Sequence, residues 1–221
     1  MNTSLTSEPA PVHVWLWRTD LEESRCAELA GILSPAERAA AERFRFPRDR
    51  ARAVISHAGL RLLLAGHLNL PPESVAFVTG DSGKPRLAGT GAVSFNLSHS
   101  GVYAAAAVSR GRELGIDIEQ IRPDIAWREI AARFFSPEET AWLACMAEPE
   151  AFFRLWTAKE AVLKAAGMGL TAPLDSIRVR PGEDAPPWNL RELDLAPGYA
   201  CALAFDGPPA TPRVMTQFGC Q

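Results

Sequence analysis

The sequence predicts an α+β fold built as a pseudo-dimer of two similar lobes, each with helices packed on a small, mostly antiparallel sheet. Three observations predict it. A helix-start signal, Ser34-Pro35 with Glu37, recurs 102 residues later as Ser136-Pro137 with Glu139. The same offset carries Arg52 to Arg154 and Ser74-Val75 to Ser176-Ile177, and Tyr103 with its apolar run recurs at Tyr199 after 96 residues. Between the two helical blocks lie short apolar segments punctuated by turn residues, as in a strand meander. The boundary falls near Arg110 to Glu113, which gives an N-terminal lobe of residues 1–111 and a C-terminal lobe of residues 112–221.

The elements follow in order. Val12 to Trp17 is too short for a helix and rich in strand formers. Ser34, Pro35 and Glu37 form a capping box that opens a helix running toward Phe44. Arg48 to Leu68 places Ala53, Val54, Leu60, Leu64 and Leu68 at near-helical spacing, with Pro71 and Pro72 expected to stop it. Val75 to Val78 reads as a strand. After turn residues Gly80 to Pro85 come Ala92 to Leu97, a turn through His99 to Gly101, Val102 to Val108, a turn at Gly111, and Leu114 to Glu119. Phe152 to Ala166 is the second long helix.

The 221 residues allow one large domain or two small ones, and 47% apolar against 22% charged composition is ordinary globular usage. Lys and Arg number 23 against 26 Asp and Glu, so the basic excess of a dedicated nucleic-acid binder is missing. Cys26, Cys145, Cys201 and Cys220 have no metal-site or redox spacing, and no stretch approaches a membrane span. A cytoplasmic protein with reduced thiols is expected.

The repeat makes a functional statement. Carried back by 102 residues, Asp117 falls on Trp15 and Glu119 on Trp17, so a site between the lobes has its acids from the second half only. In Gly115-Ile116-Asp117-Ile118-Glu119 the strand period puts both acids on one face and both isoleucines on the other. Two carboxylates on a partly buried face repel each other unless a cation intervenes, and a hard ion such as Mg²⁺ suits their oxygens. The other reading of that face is a solvated sheet edge. Trp156, Glu160 and Lys164 stand at i, i+4 and i+8 on one helical face, adding a third acid and a cation. Asn96 to Gly101 reads as a strand ending in a polar turn, whose hydroxyls and N–H groups could bind phosphate, and Gly83-Lys84-Pro85 offers a cation on another turn.

Taken together and in order, Gly83-Lys84-Pro85, Phe95-Asn96-Leu97-Ser98-His99-Ser100, Gly115 to Glu119 and Trp156 to Lys164 resemble the motifs of the 4'-phosphopantetheinyl transferases of the surfactin-synthetase-activating type. The resemblance extends from Ser34 to about Arg180. It implies a pseudo-dimer with the site between the lobes, and transfer of the phosphopantetheine arm of coenzyme A to a serine of an apo acyl or peptidyl carrier protein, releasing 3',5'-ADP. It implies Asp117, Glu119 and Glu160 as Mg²⁺ ligands. It also implies His99 at the 3'-phosphate, Lys164 at a phosphate, Arg52 near the nucleotide, and Lys84, Pro85 and Ser98 on the coenzyme side. Glu119, Glu160 and Lys164 are the candidate catalytic groups, and the sequence leaves open whether Glu119, Glu160 or a water takes the serine proton.

Some relatives carry lysines where this chain has Glu37 and Ala40, and a Thr where it has Ala53; Arg45, Arg48 and Arg50 are the nearby alternatives. For the carrier, Arg122, Pro123, Ile125, Trp127 and Arg128 offer apolar contact ringed by cations, with Trp127 alternatively a core anchor. The competing functions are a Mg²⁺-dependent phosphodiesterase or nuclease and a non-catalytic carrier- or nucleotide-binding module. The missing basic surface speaks against the first and the three acids against the second. A monomer suffices, because the repeat supplies both halves of the site.

Overall fold

A computed structural model describes residues 10–80, 83–89, 93–169 and 172–215. Cys220 and Ala92, at the start of one expected strand, lie outside them. The first lobe runs β1 (Val12–Arg18), α1 (Glu23–Ala30), α2 (Pro35–Glu42), α3 (Pro47–Leu68), a short hairpin β2 (Phe77–Thr79) and β3 (Pro85–Leu87), then β4 (Val93–Ser100) and β5 (Tyr103–Arg110). The second runs β6 (Leu114–Gln120), α4 (Trp127–Phe134), α5 (Pro137–Met146), α6 (Pro149–Ala166), β7 (Asn189–Glu192) and β8 (Tyr199–Phe205), followed by β9 (Arg213–Met215). The sheets are ordered β4-β5-β1-β9 and β6-β8-β7. Strand β9 returns to pair in parallel with β1, so the tail joins the first sheet.

Strand register expresses the repeat. In the first sheet Trp15 pairs with Ala106 and Trp17 with Ala104; in the second Asp117 pairs with Ala202 and Glu119 with Ala200. Tryptophans and acids therefore hold equivalent places. The Ser34–Glu37 and Ser136–Glu139 capping boxes both form, with the serine hydroxyl accepting the N3 amide and the glutamate accepting the serine amide. Each capping glutamate then takes a buried cation from the long helix. Arg61 pairs with Glu37 at 2.7 Å and donates to the Val75 carbonyl; Lys159 pairs with Glu139 at 2.5 Å and donates to the Ile177 carbonyl. Val75 and Ile177 are 102 residues apart, so both lobes use one device to lock two helices and the following loop. Tyr103 and Tyr199, also repeat equivalents, meet edge to face at 5.1 Å across the junction.

Three cores result. One lies under α3 in the first lobe and one under α6 in the second. The third joins the lobes, with Val12, Val14, Leu16, Ala105 and Ala107 packed against Leu114, Ile116, Ile118, Leu203 and Phe205. Ile116 and Ile118 thus bury one face of β6 between the sheets and leave Asp117 and Glu119 on the other.

Some elements depart from the sequence reading. Helix α1 lacks a side-chain N-cap, which is why no start signal marks it. Helix α3 ends through Asn69 in the left-handed conformation, φ 54°, ahead of the prolines: Pro71 precedes, and Pro72 opens, a single 3₁₀ turn, Pro72–Ser74. Val75 is a core residue of that connection, and the strand begins at Phe77. The expected polar turn at His99 is instead the end of β4, which continues to Ser100 and turns at Gly101. His99 pairs with Ala104 inside the ladder, so its backbone forms no phosphate-binding turn.

Candidate active site

The site forms where β4 of the first lobe lies beside β6 of the second, with α6 packed over β6. Gly115 permits that packing: a Cβ there would collide with the backbone of α6 at Ala161 and Ala165 and with the Lys164 side chain. At the equivalent level of the first lobe the small residue is on the helix, Gly59, and a tryptophan, Trp17, fills the gap. Close approach in the second lobe brings Glu160 and Lys164 to the acids of β6.

Asp117 is the centre of this arrangement. Only 3% exposed, it accepts from Lys164 Nζ at 2.6 Å and from Ser98 Oγ at 2.7 Å, both through Oδ1. Its Oδ2 is buried without a hydrogen-bond partner. Glu119 accepts from Ser100 Oγ at 2.6 Å. Burial, then repulsion from Asp117, raises the pKa of both Glu119 and Glu160, and Lys164 partly opposes this. For Lys164 itself burial acts against the charge, but Asp117, Glu160 and Glu119 outweigh it and raise its pKa. Lys164 is thus the counter-charge to three acids. Among the described residues no three His, Cys, Asp or Glu side chains converge as a closed metal-ligand set.

On the first-lobe side opens a cavity of about 330 Å³ lined by Glu37, His57, Leu60, Phe77, Thr79, Pro85, Phe95, Asn96, Leu97 and His99. His99 is open to solvent at its wall, yet its pKa is lowered, first by desolvation and then by His57, Lys164 and Arg52. Surrounding protein and the cations Lys164 and Arg52, joined by His57 when it is protonated, make a charged imidazole unfavourable there without full burial of the ring. Arg52 has its Nε buried without a partner, and its nearest acid, Asp49, is 3.8 Å away. Its repeat equivalent Arg154 is instead bound to Glu192 at 2.6 Å. Four basic groups from α3, β4 and α6 therefore share one electrostatic neighbourhood, an arrangement that favours a polyanion. His57 carries no motif signal; only its position on α3, five residues from Arg52, could have suggested it.

Lys84 is placed differently. Its side chain is 8% exposed, and its ammonium donates to Glu113 at 3.1 Å and to the carbonyls of Leu114 at 2.9 Å and Ala165 at 3.4 Å. It fastens the β2–β3 hairpin to β6 and the end of α6, while the adjacent Pro85 faces the cavity. Glu37 is committed to Arg61 and its own capping box; Arg45 lies over Phe46 and Arg48 beside Asp49, and neither lines the cavity. A second cavity, about 180 Å³, is lined by Glu119, Arg122, Ile125, Ile130, Phe152, Phe153 and Trp156. Trp127 is a core residue, 4% exposed against Phe152, with Arg128 stacked on its outer face at 4.2 Å.

Comparison with known proteins gives this geometry a family. The 4'-phosphopantetheinyl transferase N-terminal family matches residues 17–111, and the 4'-phosphopantetheinyl transferase superfamily matches residues 113–205. The chain is 40% identical to 4'-phosphopantetheinyl transferase HetI of Nostoc sp., over 92% of this chain and 89% of that protein. The chain belongs to the 4'-phosphopantetheinyl transferase superfamily. Similarity to 4'-phosphopantetheinyl transferase Sfp of Bacillus subtilis is 30% identity, covering 85% of this chain and 88% of the relative. In this transferase, then, the acids of β6 and the cations of α3, β4 and α6 meet between two α+β lobes. Among the described residues no helix is long and apolar enough to cross a membrane.

Proposed function

We propose that this transferase moves the 4'-phosphopantetheine group of coenzyme A to a serine of an apo acyl or peptidyl carrier protein, with Mg²⁺, and releases 3',5'-ADP. The observation that carries the reading is Asp117, whose Oδ1 is held by the single lysine, Lys164, while its buried Oδ2 has no partner and its charge repels those of two neighbouring glutamates. An all-oxygen donor set of this kind fits a hard divalent cation. Asp117, Glu119 and Glu160 would hold Mg²⁺, which would polarise the phosphoryl oxygens of the coenzyme A pyrophosphate.

The remaining steps belong to the chain. The cavity walled by His99 and Pro85 receives the nucleotide end, with His99 at the 3'-phosphate and Arg52 beside it. Ser98 borders the pyrophosphate side, and Lys84 reaches a phosphate only by releasing Glu113. The carrier serine oxygen attacks the β-phosphorus, a new O–P bond forms, and the bridging P–O bond breaks with its electron pair leaving on 3',5'-ADP. Lys164 opposes the charge that gathers on the phosphoryl oxygens. The serine proton passes to a carboxylate. Glu119 is favoured over Glu160 because it lines the second cavity, on the side open to a carrier.

The lobes of this site, residues 1–111 and 112–221 with β9 of the latter crossing into the first sheet, come from one chain, so the enzyme works as a monomer. Cys26, Cys145 and Cys201 are free thiols, in keeping with the cytoplasm, where carriers are synthesised. Incubation with coenzyme A, Mg²⁺ and an apo carrier should raise the carrier's mass by one phosphopantetheine group. An unchanged mass across acyl and peptidyl carriers would remove the proposal.

A further inference from the structure

The two lobes meet through a comb of side chains. Strands β4 and β6 run alongside each other in the same direction without a backbone ladder; Asn96, Ser98 and Ser100 fill the gap. Asn96 Oδ1 accepts the Ile116 amide at 2.8 Å, Ser98 Oγ the Ile118 amide at 3.4 Å, and Ser100 Oγ the Gln120 amide at 3.1 Å. The step is two residues on each strand, so β6, an edge of its own sheet, has these outward amides satisfied by the other lobe.

This arrangement fixes the direction of each serine hydroxyl. An amide can only donate, so a serine facing one must accept, and its single proton is left for another partner. Ser98 spends it on Asp117 and Ser100 on Glu119. The third tooth, Asn96, faces the amide beyond Gly115, where there is no acid to hold. The first lobe therefore grips the same strand three times and orients an acid twice.

We infer that Ser100 is a positioning residue for the reaction: through its bond to Glu119 it holds that carboxylate, across the lobe junction, in the orientation that takes up the divalent cation. The inference rests on the reading of Asp117, Glu119 and Glu160 as Mg²⁺ ligands. Groups that orient metal ligands commonly govern affinity by about 10- to 100-fold, and Ser100 is placed to do so without touching substrate. It also couples the lobes, because a displacement of β4 relative to β6 withdraws the hydroxyl from Glu119.

The test is calorimetric titration of Mg²⁺ into the protein saturated with coenzyme A, together with transfer kinetics and melting temperature, for wild type, Ser100→Ala, Ser100→Thr and Tyr199→Phe. Ser100→Ala should weaken Mg²⁺ by about 10-fold or more, with kcat recovering as Mg²⁺ is raised and the KM for carrier within about twofold of wild type. Ser100→Thr, which keeps the hydroxyl, should restore Mg²⁺ affinity. Tyr199→Phe removes another bond across the lobe junction, the one its hydroxyl accepts from the Val102 amide at 3.0 Å, with no acid attached, so it should lower the melting temperature while leaving Mg²⁺ affinity unchanged. Wild-type Mg²⁺ affinity in Ser100→Ala, or equal loss in Tyr199→Phe, would overturn the inference while leaving the metal reading intact. Absence of Mg²⁺ uptake by the wild-type protein would overturn the metal reading and this inference with it.

Discussion

At the scale of single residues, Asp117 does two jobs whose consequences separate. It neutralises the buried end of Lys164, and its free oxygen is the strongest mark of a cation site. Asp117→Ala should abolish transfer and also destabilise the fold, by about 1–3 kcal/mol for the stranded partner. Adding Lys164→Met should recover much of the melting temperature and none of the activity; mass spectrometry and calorimetry on the single and double variants check this. Glu160→Ala, which strands no paired cation, should abolish transfer with a melting temperature close to wild type. The histidines give a pH prediction. His57 and His99 are both held below the usual 6.5, first by desolvation; His57 is further lowered by Arg61, although Glu37 opposes this, and His99 by His57, Lys164 and Arg52, although Asp117 opposes this. Between their folded values and 6.5 the unfolded chain binds more protons, so their contribution to stability is present above 6.5 and is lost as pH falls below it. Melting temperature should therefore drop on going from about pH 7 to about pH 5, less steeply in a His57→Gln/His99→Gln variant. Added 3',5'-ADP should restore it, since an anion favours the charged imidazoles.

At the scale of elements, catalytic spacing depends on how closely α6 lies on β6. Gly115 has no positive φ to explain it; the reason is the backbone of α6 directly above. Gly115→Ala should push strand and helix apart, costing about 1–3 kcal/mol as an overpacking change. Because Glu160 and Lys164 ride on that helix, transfer should fall further than stability, by about 100-fold for a displacement near 1 Å. Stopped-assay transfer rates normalised to folded protein from circular dichroism would measure both. The first lobe makes the opposite choice, a glycine on the helix and Trp17 on the strand, and so closes the equivalent space with core.

At the scale of the whole molecule, the repeat was duplicated in structure and differentiated in chemistry. Register, capping boxes and buried cation–glutamate pairs are common to both lobes, whereas acids replace tryptophans on one side only. On the proposed function, the carrier would reach Glu119 from outside, past Arg122 and Arg128, both exposed. Arg128→Glu should raise the apparent KM for the carrier at low salt, with the effect fading as salt increases and the KM for coenzyme A unchanged. Arg122→Glu should do the same and also move the acid limb of the rate profile to higher pH, because Arg122 helps keep Glu119 ionised. A salt series of carrier kinetics that leaves both variants at wild-type KM would place docking elsewhere.

What the sequence determined by itself was whatever contiguous residues carry. Ser34-Pro35 with Glu37 and Ser136-Pro137 with Glu139 announce their helices because a cap is made within four residues. Alternation in Gly115 to Glu119 separates acids from isoleucines because strand geometry is local, and the 102-residue offset already paired Asp117 with Trp15. Motif order brought Asp117, Glu119, Glu160, Lys164, Ser98 and His99 into one hypothesis, and the structure brings their elements to one junction. Only tertiary structure decided what depends on neighbours far along the chain. Lys84 turns to Glu113 and to Ala165, 81 residues away, and Lys159, within a recognised motif, is spent on Glu139 and Ile177. His99 reads as a turn from its polar neighbours, but pairing with β5 extends the strand through it, and Ser100 finds Glu119 only because two sheet edges meet. An ammonium or hydroxyl bonds to whatever acceptor folding delivers within about 3 Å, and the chain's local sequence does not name that acceptor.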